Sequence, residues 1–391
     1  MAFSGGGDSL ALLLIAAGWA RDAGRPLLVL TVDHRLQAAS AAWSALCAEV
    51  AASLGAEFRA LAWEGPKPAG GLPAAARAAR HRLLADAARE AGARVILMGH
   101  TADDLLESRA MRAEGSTTPD AREWSPSPAW PEGRGIFLLR PLLGLRRSEL
   151  RAWLESRGES WIDDPANEDR QFARVRARAQ VATASVRSGA PLAPDTPLEI
   201  AGQCEADAAG GLHLPRAILR ETSQDQVRRF LSLACVCVGG GDRRPATHRL
   251  RRLAAQLSRD VAFTATLAGA RVEADGRTAH ILREAGEARR GGLAGLQLPA
   301  HAPVVWDGRF ELCASQPGFE VRRLAGLSRR LPPAQQRALA ALHPRSRPAL
   351  PAVVAAGEVT CPVLGAGPVT ARSLVAERLA AAAGLVSREP A

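Results

Sequence analysis

The stretch that decides the fold is Ser4-Gly5-Gly6-Gly7-Asp8-Ser9, which leads directly into an apolar run from Leu10 to Ile15. Glycine has no Cβ atom, so three successive glycines let the backbone approach an anion closely and turn its amide hydrogens toward it. The two serine hydroxyls add donors, and the positive end of the following helix points to the same place. These residues therefore predict a phosphate-binding loop at the start of a helix.

Helical and strand-like patterns alternate along the first half of the chain. Helical composition covers residues 8–23, 40–54 and 74–91, and strand-like runs cover 27–32, 57–63 and 95–99. Continuous apolar runs are typical of buried parallel strands, so the pattern predicts an α/β fold with a doubly wound parallel sheet. Ligands of such sheets bind beyond the carboxyl ends of the strands, where Ser4, Asp33 and His100 lie. Only three residues precede Ser4, so either the first strand is short or the true start lies upstream.

Composition divides the chain into four parts. We predict a first domain over residues 1–188, a linker with three prolines over 189–197, a middle helical or α+β domain over 198–300, and a C-terminal segment over 301–391. The region after the sheet is thus expected to be smaller and helical or α+β. Residues 113–135 lose all periodicity and are predicted to form a long loop. Further predicted helices cover 147–157, 171–184, 216–238 and 247–259, and Asp275-Gly276 predicts a tight turn between two strands.

Length and composition indicate a globular protein. With 391 residues, 47% of them hydrophobic, the chain can bury a substantial core. No apolar run approaches the roughly 20 residues that span a bilayer, so we expect no membrane partner and a cytoplasmic location. The six cysteines are scattered, with one C-x-C pair and no C-x-x-C, and predict neither a disulfide framework nor a metal site.

The net charge of +10 would suit a polyanionic partner such as RNA. The alternative is that a GC-rich genome imposes the excess of Arg, Ala, Gly and Pro, because Lys67 is the single lysine and the chain has no tyrosine. Composition alone leaves both interpretations open.

A second motif follows a predicted buried strand and reads Gly99-His100-Thr101-Ala102-Asp103-Asp104-Leu105-Leu106-Glu107-Ser108. On a helix that starts near Thr101, three carboxylates fall within about one turn, where the helix dipole favours them. A capped and charged first turn without a functional role is the alternative interpretation.

These two motifs resemble those of the PP-loop ATP pyrophosphatases, whose loop signature is SGGxDS. The second is similar to the HHxDDQxET motif of one group in that superfamily, the tRNA(Ile)-lysidine synthases, from which Thr101 and Leu105 depart. The resemblance implies the fold of the adenine nucleotide α-hydrolases, with ATP and Mg2+ as co-substrate, cleaved between its α and β phosphates. It implies nucleotide binding by Ser4, Gly5, Gly6, Gly7, Asp8, Ser9, His34, Arg77 and His100, and catalysis by Asp33, Asp103, Asp104 and Glu107.

Four further segments resemble the same family. They are Val32-Asp33-His34-Arg35-Leu36, Ala76-Arg77-Ala78-Ala79-Arg80-His81, Arg140-Pro141-Leu142-Leu143, and residues 161–178 with their arginines spaced two apart. The resemblance implies contacts with the tRNA backbone from Arg80, Arg140, Arg174, Arg176 and Arg178. Asp33 could instead cap a turn, and the arginines could lie on a solvated helix face.

The reaction implied by the resemblance is the ligation of free L-lysine to C2 of the wobble cytidine of tRNA(Ile) with a CAU anticodon, through an adenylated cytidine. It changes the codon read from AUG to AUA, and residues 301–391 would take part in tRNA recognition. Two alternatives remain: a PP-loop tRNA thiolase, and a non-catalytic RNA-binding protein on a decayed PP-loop. The sequence leaves the oligomeric state open.

Overall fold

A computed structural model of the chain describes residues 1–36, 40–114, 116, 121–127, 133–163, 175–178, 197–241, 244–259, 261–286 and 293–386. The chain divides into two compact units. The first comprises residues 1–196 and 386–391, and the second comprises 197–385.

Helices and strands alternate in the first unit, and the predicted α/β class is confirmed. The elements in chain order are α1 (Gly7–Asp22), β1 (Leu28–Asp33), α2 (Ser40–Ser53), β2 (Glu57–Ala62), α3 (Leu72–Glu90), β3 (Val95–Leu97), α4 (Ala102–Ala113), β4 (Trp124–Pro126), β5 (Phe137–Leu139) and α5 (Arg147–Ser156). In α3, Pro73 lies in the first turn, where its missing N–H leaves no internal hydrogen bond unmade.

The first three residues lie in the middle of a mainly parallel sheet. β1 pairs in parallel with β2, and β3 pairs in parallel with β5. Between these pairs, the N–H of Phe3 donates to Leu30 O at 2.9 Å, the N–H of Leu30 donates to Met1 O at 2.8 Å, and the N–H of Ala2 donates to Leu97 O at 2.9 Å. Residues 1–3 therefore connect β1 to β3, and three parallel segments end side by side at one edge.

Helices cover both faces of this sheet, as a doubly wound fold requires. On one face α1, α2 and α5 share a core that includes Leu10, Leu13, Cys47 and Leu154. On the other face α3 packs Leu84 and its neighbours against Leu30, Ile96 and Leu138 of the strands. The continuous apolar runs of the strands follow from this burial on two sides.

The region predicted as a loop, residues 113–135, contains one short strand. β4 pairs antiparallel with β5, with Trp124 opposite Leu139. Trp124 also stacks on Phe137, with ring centroids 5.0 Å apart. A strand of three residues that forms by pairing with β5 is too short to show a recognisable pattern in the sequence. Of the predicted helix 171–184, only residues 175–178 lie in the described part, and they are helical.

The first half of the second unit packs helices on an antiparallel sheet. Its strands are β6 (Glu205–Ala206), β7 (Leu212–Pro215), β8 (Phe263–Leu267), β9 (Ala270–Ala274) and β10 (Thr278–Arg283), in the order β6-β7-β10-β9-β8. The helices are α6 (Arg216–Glu221), α7 (Gln224–Gly239) and α8 (Thr247–Leu257). The prediction of one helix over 216–238 was wrong, because Ser223 caps a new helix and accepts the N–H of Gln226 at 3.4 Å.

Two smaller sheets form the second half of this unit. Their strands are β11 (Leu296–Leu298), β12 (Val304–Trp306), β13 (Phe310–Ala314), β14 (Phe319–Arg323), β15 (Pro351–Ala355), β16 (Glu358–Thr360) and β17 (Val369–Ser373), in the orders β11-β14-β15-β16 and β12-β13-β17. The helices are α9 (Pro333–Ala340) and α10 (Val375–Ala383). Val375, Leu379 and Ala383 of α10 pack into the core of the first half.

Gly99, between β3 and α4, is expected to tolerate no side chain. A Cβ atom there would lie 3.0 Å from Asp8 O and 3.1 Å from Ser9 Cα, both backbone atoms of the phosphate loop and α1. We predict that Gly99→Ala lowers the free energy of unfolding by about 1–3 kcal/mol and weakens nucleotide binding. Urea unfolding and nucleotide titration check both effects.

The matched control is Gly18→Ala in the middle of α1. A Cβ atom at Gly18 meets nothing within 4 Å. Alanine should raise the free energy of unfolding there by about 0.5–1 kcal/mol, because glycine loses more backbone entropy in a helix. Equal effects of the two substitutions would contradict the close approach at Gly99.

Candidate active site

The glycine loop adopts a conformation that requires glycine at its second position. Gly5 has φ +80°, and a Cβ atom there would lie 2.5 Å from Cδ1 of Ile162. The N–H of Ile162 also donates to Gly5 O at 3.0 Å. Residues 161–162, which belong to a predicted family segment, therefore lie directly against the loop.

The two serines brace the loop. Ser9 Oγ donates to Gly6 O at 2.8 Å and accepts the N–H of Ser4 at 3.3 Å. The two hydroxyl oxygens lie 3.2 Å apart. α1 begins at Gly7, so the first N–H groups of the helix, which have no partner within a helix, lie in the loop. This arrangement can bind an anion through backbone donors.

A cavity of about 570 Å³ opens at the edge where the three parallel segments end. It is lined by Ser4, Gly6, Gly7, Asp8 and Ser9 of the loop and α1, by Asp33 and His34 after β1, by His100 and Asp104 after β3, and by Arg80, Arg147 and Arg178. The structure thus brings together most of the predicted site residues. Gly5, Arg77, Asp103, Glu107, Arg140 and Arg176 lie outside this lining.

Arginines neutralise the carboxylates beside the loop. Arg147 Nε lies 2.9 Å from Oδ2 of Asp8, and Nη1 of the same guanidinium lies 3.1 Å from Oε1 of Glu107. Its Nη2 lies 3.8 Å from Oδ1 of Asp104. Glu107, whose side chain is 1% exposed, is also paired with Arg178 at 3.0 Å. The start of α5 is therefore bound electrostatically to both α1 and α4.

Burial and charge shift the pKa values of this cluster in different directions. Burial raises the pKa of Asp8, and the nearby Arg147 only partly offsets this effect. Burial would also lower the pKa of Arg147, but Asp8, Glu107 and Asp104 outweigh it, so that the pKa is raised. Arg147 consequently stays charged, whereas Asp8 gains a proton more readily than an exposed aspartate.

A capping box fixes Asp104. The N–H of Thr101 donates to Oδ2 of Asp104 at 2.7 Å, and the Thr101 hydroxyl donates to the same oxygen at 3.1 Å. Thr101, which replaces the second histidine of the family motif, is 0% exposed. Thr101 therefore orients Asp104 from the position at which the family motif has its second histidine.

Asp33 and His34 follow β1 in a tight turn. Oδ1 of Asp33 accepts the N–H of Arg35 at 2.7 Å. Arg35 has φ +52°, a conformation that favours glycine. Burial and the neighbouring Arg80 lower the pKa of His34. Asp33 thus both caps the turn and lines the cavity.

The prediction that Arg140 contacts the tRNA backbone needs a correction. It is 3% exposed, and its Nε donates to Nδ1 of His100 at 3.0 Å while Nη1 donates to Ser125 Oγ at 2.8 Å. Burial lowers its pKa to about 10. A buried guanidinium cannot contact a tRNA backbone, so this side chain positions His100 and attaches it to β4.

The other residues predicted to contact the tRNA differ in exposure and in their position relative to the cavity. Arg80 lines the cavity, Arg176 is exposed, and Arg178 lines the cavity while it pairs with Glu107. Arg77 is half-buried on α3. Arg174, like the segment from Asp164 to Asp169, lies outside the described residues.

Arg146 and Arg147 are functional candidates that sequence reasoning missed. Arg146 Nη2 lies 2.9 Å from Oδ1 of Asp103, and the N–H of Arg147 donates to Oδ2 of Asp103 at 2.7 Å. Adjacent arginines before a helix look like an ordinary charged surface. Their position five and six residues after Pro141 of the Arg140-Pro141 motif was the available signal.

Comparisons with known proteins agree with this geometry. Residues 1–185 match the family model of the PP-loop domain. The chain is 49% identical to the tRNA(Ile)-lysidine synthase of Caulobacter vibrioides, over 99% of this chain and 93% of that protein. It is 36% identical to the protein of the same name from Hyphomonas neptunium (72% and 79% covered) and 35% identical to that from Brucella anthropi (79% and 72%). A solved structure, the U34-tRNA thiolase NcsA from Methanococcus maripaludis with its [4Fe-4S] cluster, is similar over 46% of this chain and 64% of that one, at 14% identity and a TM-score of 0.40.

Asp103 is expected to stabilise the fold more than an exposed aspartate. Burial would raise its pKa, but hydrogen bonds from Arg146 and from the backbone of Arg147 outweigh that effect, and the pKa is lowered. We predict that Asp103→Asn lowers the free energy of unfolding by about 1–3 kcal/mol at neutral pH. Because a lowered carboxyl pKa stabilises the fold above the usual value of about 3.9, this difference should disappear as the pH falls through and below that range.

The control for this prediction is Asp86→Asn. Asp86 forms an exposed pair with Arg89 at 3.3 Å, and exposed pairs contribute about 0–1 kcal/mol. Unfolding by urea at a series of pH values measures both variants. A loss at Asp103 that is no larger than the loss at Asp86, or that persists in acid, would be inconsistent with the proposed anchoring.

Proposed function

This chain belongs to the tRNA(Ile)-lysidine synthases, and on that premise we propose that it ligates free L-lysine to C2 of the wobble cytidine of tRNA(Ile) with a CAU anticodon, using ATP. The observation that carries the proposal is the cavity that joins the glycine loop to the carboxylates Asp33 and Asp104. One wall suits polyphosphate, and the other suits the cationic amine of lysine.

The loop Ser4 to Ser9 would bind the β and γ phosphates of ATP through backbone N–H groups and the positive end of α1. The O2 atom of the cytidine would attack the α-phosphorus and form a P–O bond while the bond to pyrophosphate breaks. Arg80 and His100, both in the lining, would lie beside this negative charge. The cytidine then carries AMP on O2, which makes C2 electrophilic.

Asp8 is our candidate ligand for the Mg2+ that accompanies ATP. Among the described residues, Oδ1 of Asp8 is buried without a hydrogen-bond partner, and carboxylate oxygens are the ligands that Mg2+ prefers. The described part of the chain contains no group of three or more His, Cys, Asp or Glu side chains that could hold a metal alone. This fits Mg2+, which usually binds through one or two carboxylates together with phosphates and water. The ion would neutralise phosphate charge in the reaction.

The lysine amine must lose a proton before it attacks. Its nitrogen lone pair would form a bond to C2 while the bond from C2 to O2 breaks and AMP leaves. Asp33, Asp103, Asp104 and Glu107 are the candidate residues for holding the ammonium and accepting its proton. Asp33 and Asp104 line the cavity, whereas Glu107 is 1% exposed, so the first two are the stronger candidates for the base.

The two alternatives have less support. Thiolases of this superfamily generally use paired cysteines, and Cys47 is the single cysteine before residue 204. Cys47 lines the cavity, but burial raises the pKa of its thiol, which disfavours the reactive thiolate. A decayed binding protein would have no reason to keep the braced loop and the oriented Asp104.

We further propose a cytoplasmic location, with tRNA(Ile) and free lysine as partners, and Arg80, Arg176 and Arg178 as contacts with the tRNA backbone. The division into the four predicted parts and the assignment of residues 301–391 to tRNA recognition also stay proposals. No helix in the described part of the chain is long and apolar enough to cross a membrane.

The test is incorporation of labelled lysine into tRNA by the purified protein with ATP. We expect label in isoleucine tRNA with a CAU anticodon and none in methionine tRNA with the same anticodon. Asp8→Asn should lower kcat/KM by about a hundredfold or more, because it removes a charge beside the phosphates. Gly18→Ala, in the same helix but away from the loop, should leave the rate unchanged.

The outcomes separate the three candidate functions. Transfer of sulfur instead of lysine would favour the thiolase. Absence of pyrophosphate release with any tRNA, from protein that still binds tRNA, would favour the non-catalytic alternative. Lysine incorporation that survives Asp8→Asn at full rate would contradict the assignment of the loop.

A further inference from the structure

Arg147 contacts both halves of the candidate active site. Its guanidinium reaches Asp8 on α1 through Nε, and Glu107 and Asp104 on α4 through its two terminal nitrogens, at 2.9, 3.1 and 3.8 Å. Its side chain is 18% exposed and lines the cavity. The guanidinium therefore lies where the phosphate wall meets the carboxylate wall.

These contacts conflict with binding of a second cation. The ammonium of a lysine substrate that binds at Asp104 would need a carboxylate of the lining that Arg147 also contacts. Two like charges at one carboxylate repel each other, and a carboxylate oxygen has few sites for donors. Contact of the guanidinium with Asp104 and binding of the lysine ammonium there are thus mutually exclusive.

The backbone of Arg147 is held by a contact that does not involve its side chain. Its N–H donates to Oδ2 of Asp103 at 2.7 Å, and it is the first residue of α5. The side chain itself is an unbranched chain that ends in a planar fork suited to phosphate. A nucleotide triphosphate at the loop would present several negative oxygens next to Asp8, and Mg2+ on Asp8 would repel the guanidinium from that carboxylate.

We propose that Arg147 is an exchangeable counter-ion that makes lysine binding depend on ATP. It neutralises Asp8, Asp104 and Glu107 until a triphosphate draws the guanidinium to the phosphates, and this movement opens Asp104 to the lysine ammonium. The inference rests on the proposed function and adds a binding order, with ATP before lysine. Arg178 stays on Glu107 and limits the charge left there.

The neighbouring arginines do not have this geometry. Arg146 pairs with Asp103, which lies outside the cavity lining. Arg151 lines the cavity and pairs with Asp163 at 3.2 Å. Arg157 lies at the end of α5 and stacks over Trp153 at 4.9 Å. Arg157 is therefore a matched control on the same helix.

Equilibrium dialysis with labelled lysine tests the exchange in the full-length protein without tRNA. For wild type we expect at least tenfold tighter lysine binding with saturating α,β-methylene ATP and Mg2+ than without nucleotide. Arg147→Met should bind lysine alike with and without the analogue, because the competing cation is gone. Arg157→Met should keep the wild-type difference, and so should Arg147→Lys, which keeps a charge.

Three results would overturn the proposal. The first is wild-type lysine binding that is equal with and without the analogue, which needs no variant and so does not depend on folding. The second is a difference that survives in folded Arg147→Met, with folding checked by its melting curve. The third is a full gain in affinity from Mg2+ alone, since the exchange requires phosphate. Lysine incorporation into tRNA by wild type, measured in parallel, separates failure of this inference from failure of the proposed function.

Discussion

The hydrogen bonds that hold residues 1–3 between β1 and β3 are the constraint on which the first unit depends. They bind the segment to Leu30 on one side and to Leu97 on the other. Because the three segments are parallel neighbours, the glycine loop, the Asp33 turn and the start of α4 all leave the sheet at the same edge. Groups that lie about 95 residues apart in sequence can therefore line one cavity, as the switch-point rule for open α/β sheets describes.

At this edge the two oxygens of a single carboxylate have different surroundings. Oδ2 of Asp104 accepts two hydrogen bonds from Thr101, while Oδ1 faces Arg147. Oδ2 of Asp8 pairs with Arg147, while Oδ1 has no hydrogen-bond partner among the described residues. In each case one of the two oxygens can therefore fix the orientation of a carboxylate that lines the cavity. Such orientation by neighbours is what keeps catalytic groups in productive geometry.

The sequence predicted the elements whose signals are local. The glycine loop with its helix, the apolar strands and the carboxylates of α4 could all be found, because residue type and spacing determine them. The break at Ser223 was missed because helical composition lies on both sides of it, although the all-polar run over residues 220–226 marks it in the sequence. The burial of Arg140 and the ion pairs of Arg147 could not be predicted, since both depend on which side chains α4, β4 and α5 bring together. An arginine looks the same in sequence whether it faces solvent or a buried carboxylate.

The use of arginine rather than lysine at this site has a chemical reason beyond composition. An adenylated cytidine is an electrophile that persists until a free amine attacks it. Any lysine side chain of the protein beside it would compete as a nucleophile. A guanidinium keeps its proton under all ordinary conditions and does not attack. Arg147 and Arg178 can therefore neutralise the carboxylates next to the reacting carbon without entering the reaction. The single lysine of the chain, Lys67, lies outside the cavity lining, with its ammonium 4.0 Å from the ring of Trp63. The described lining of the cavity thus contains no lysine side chain.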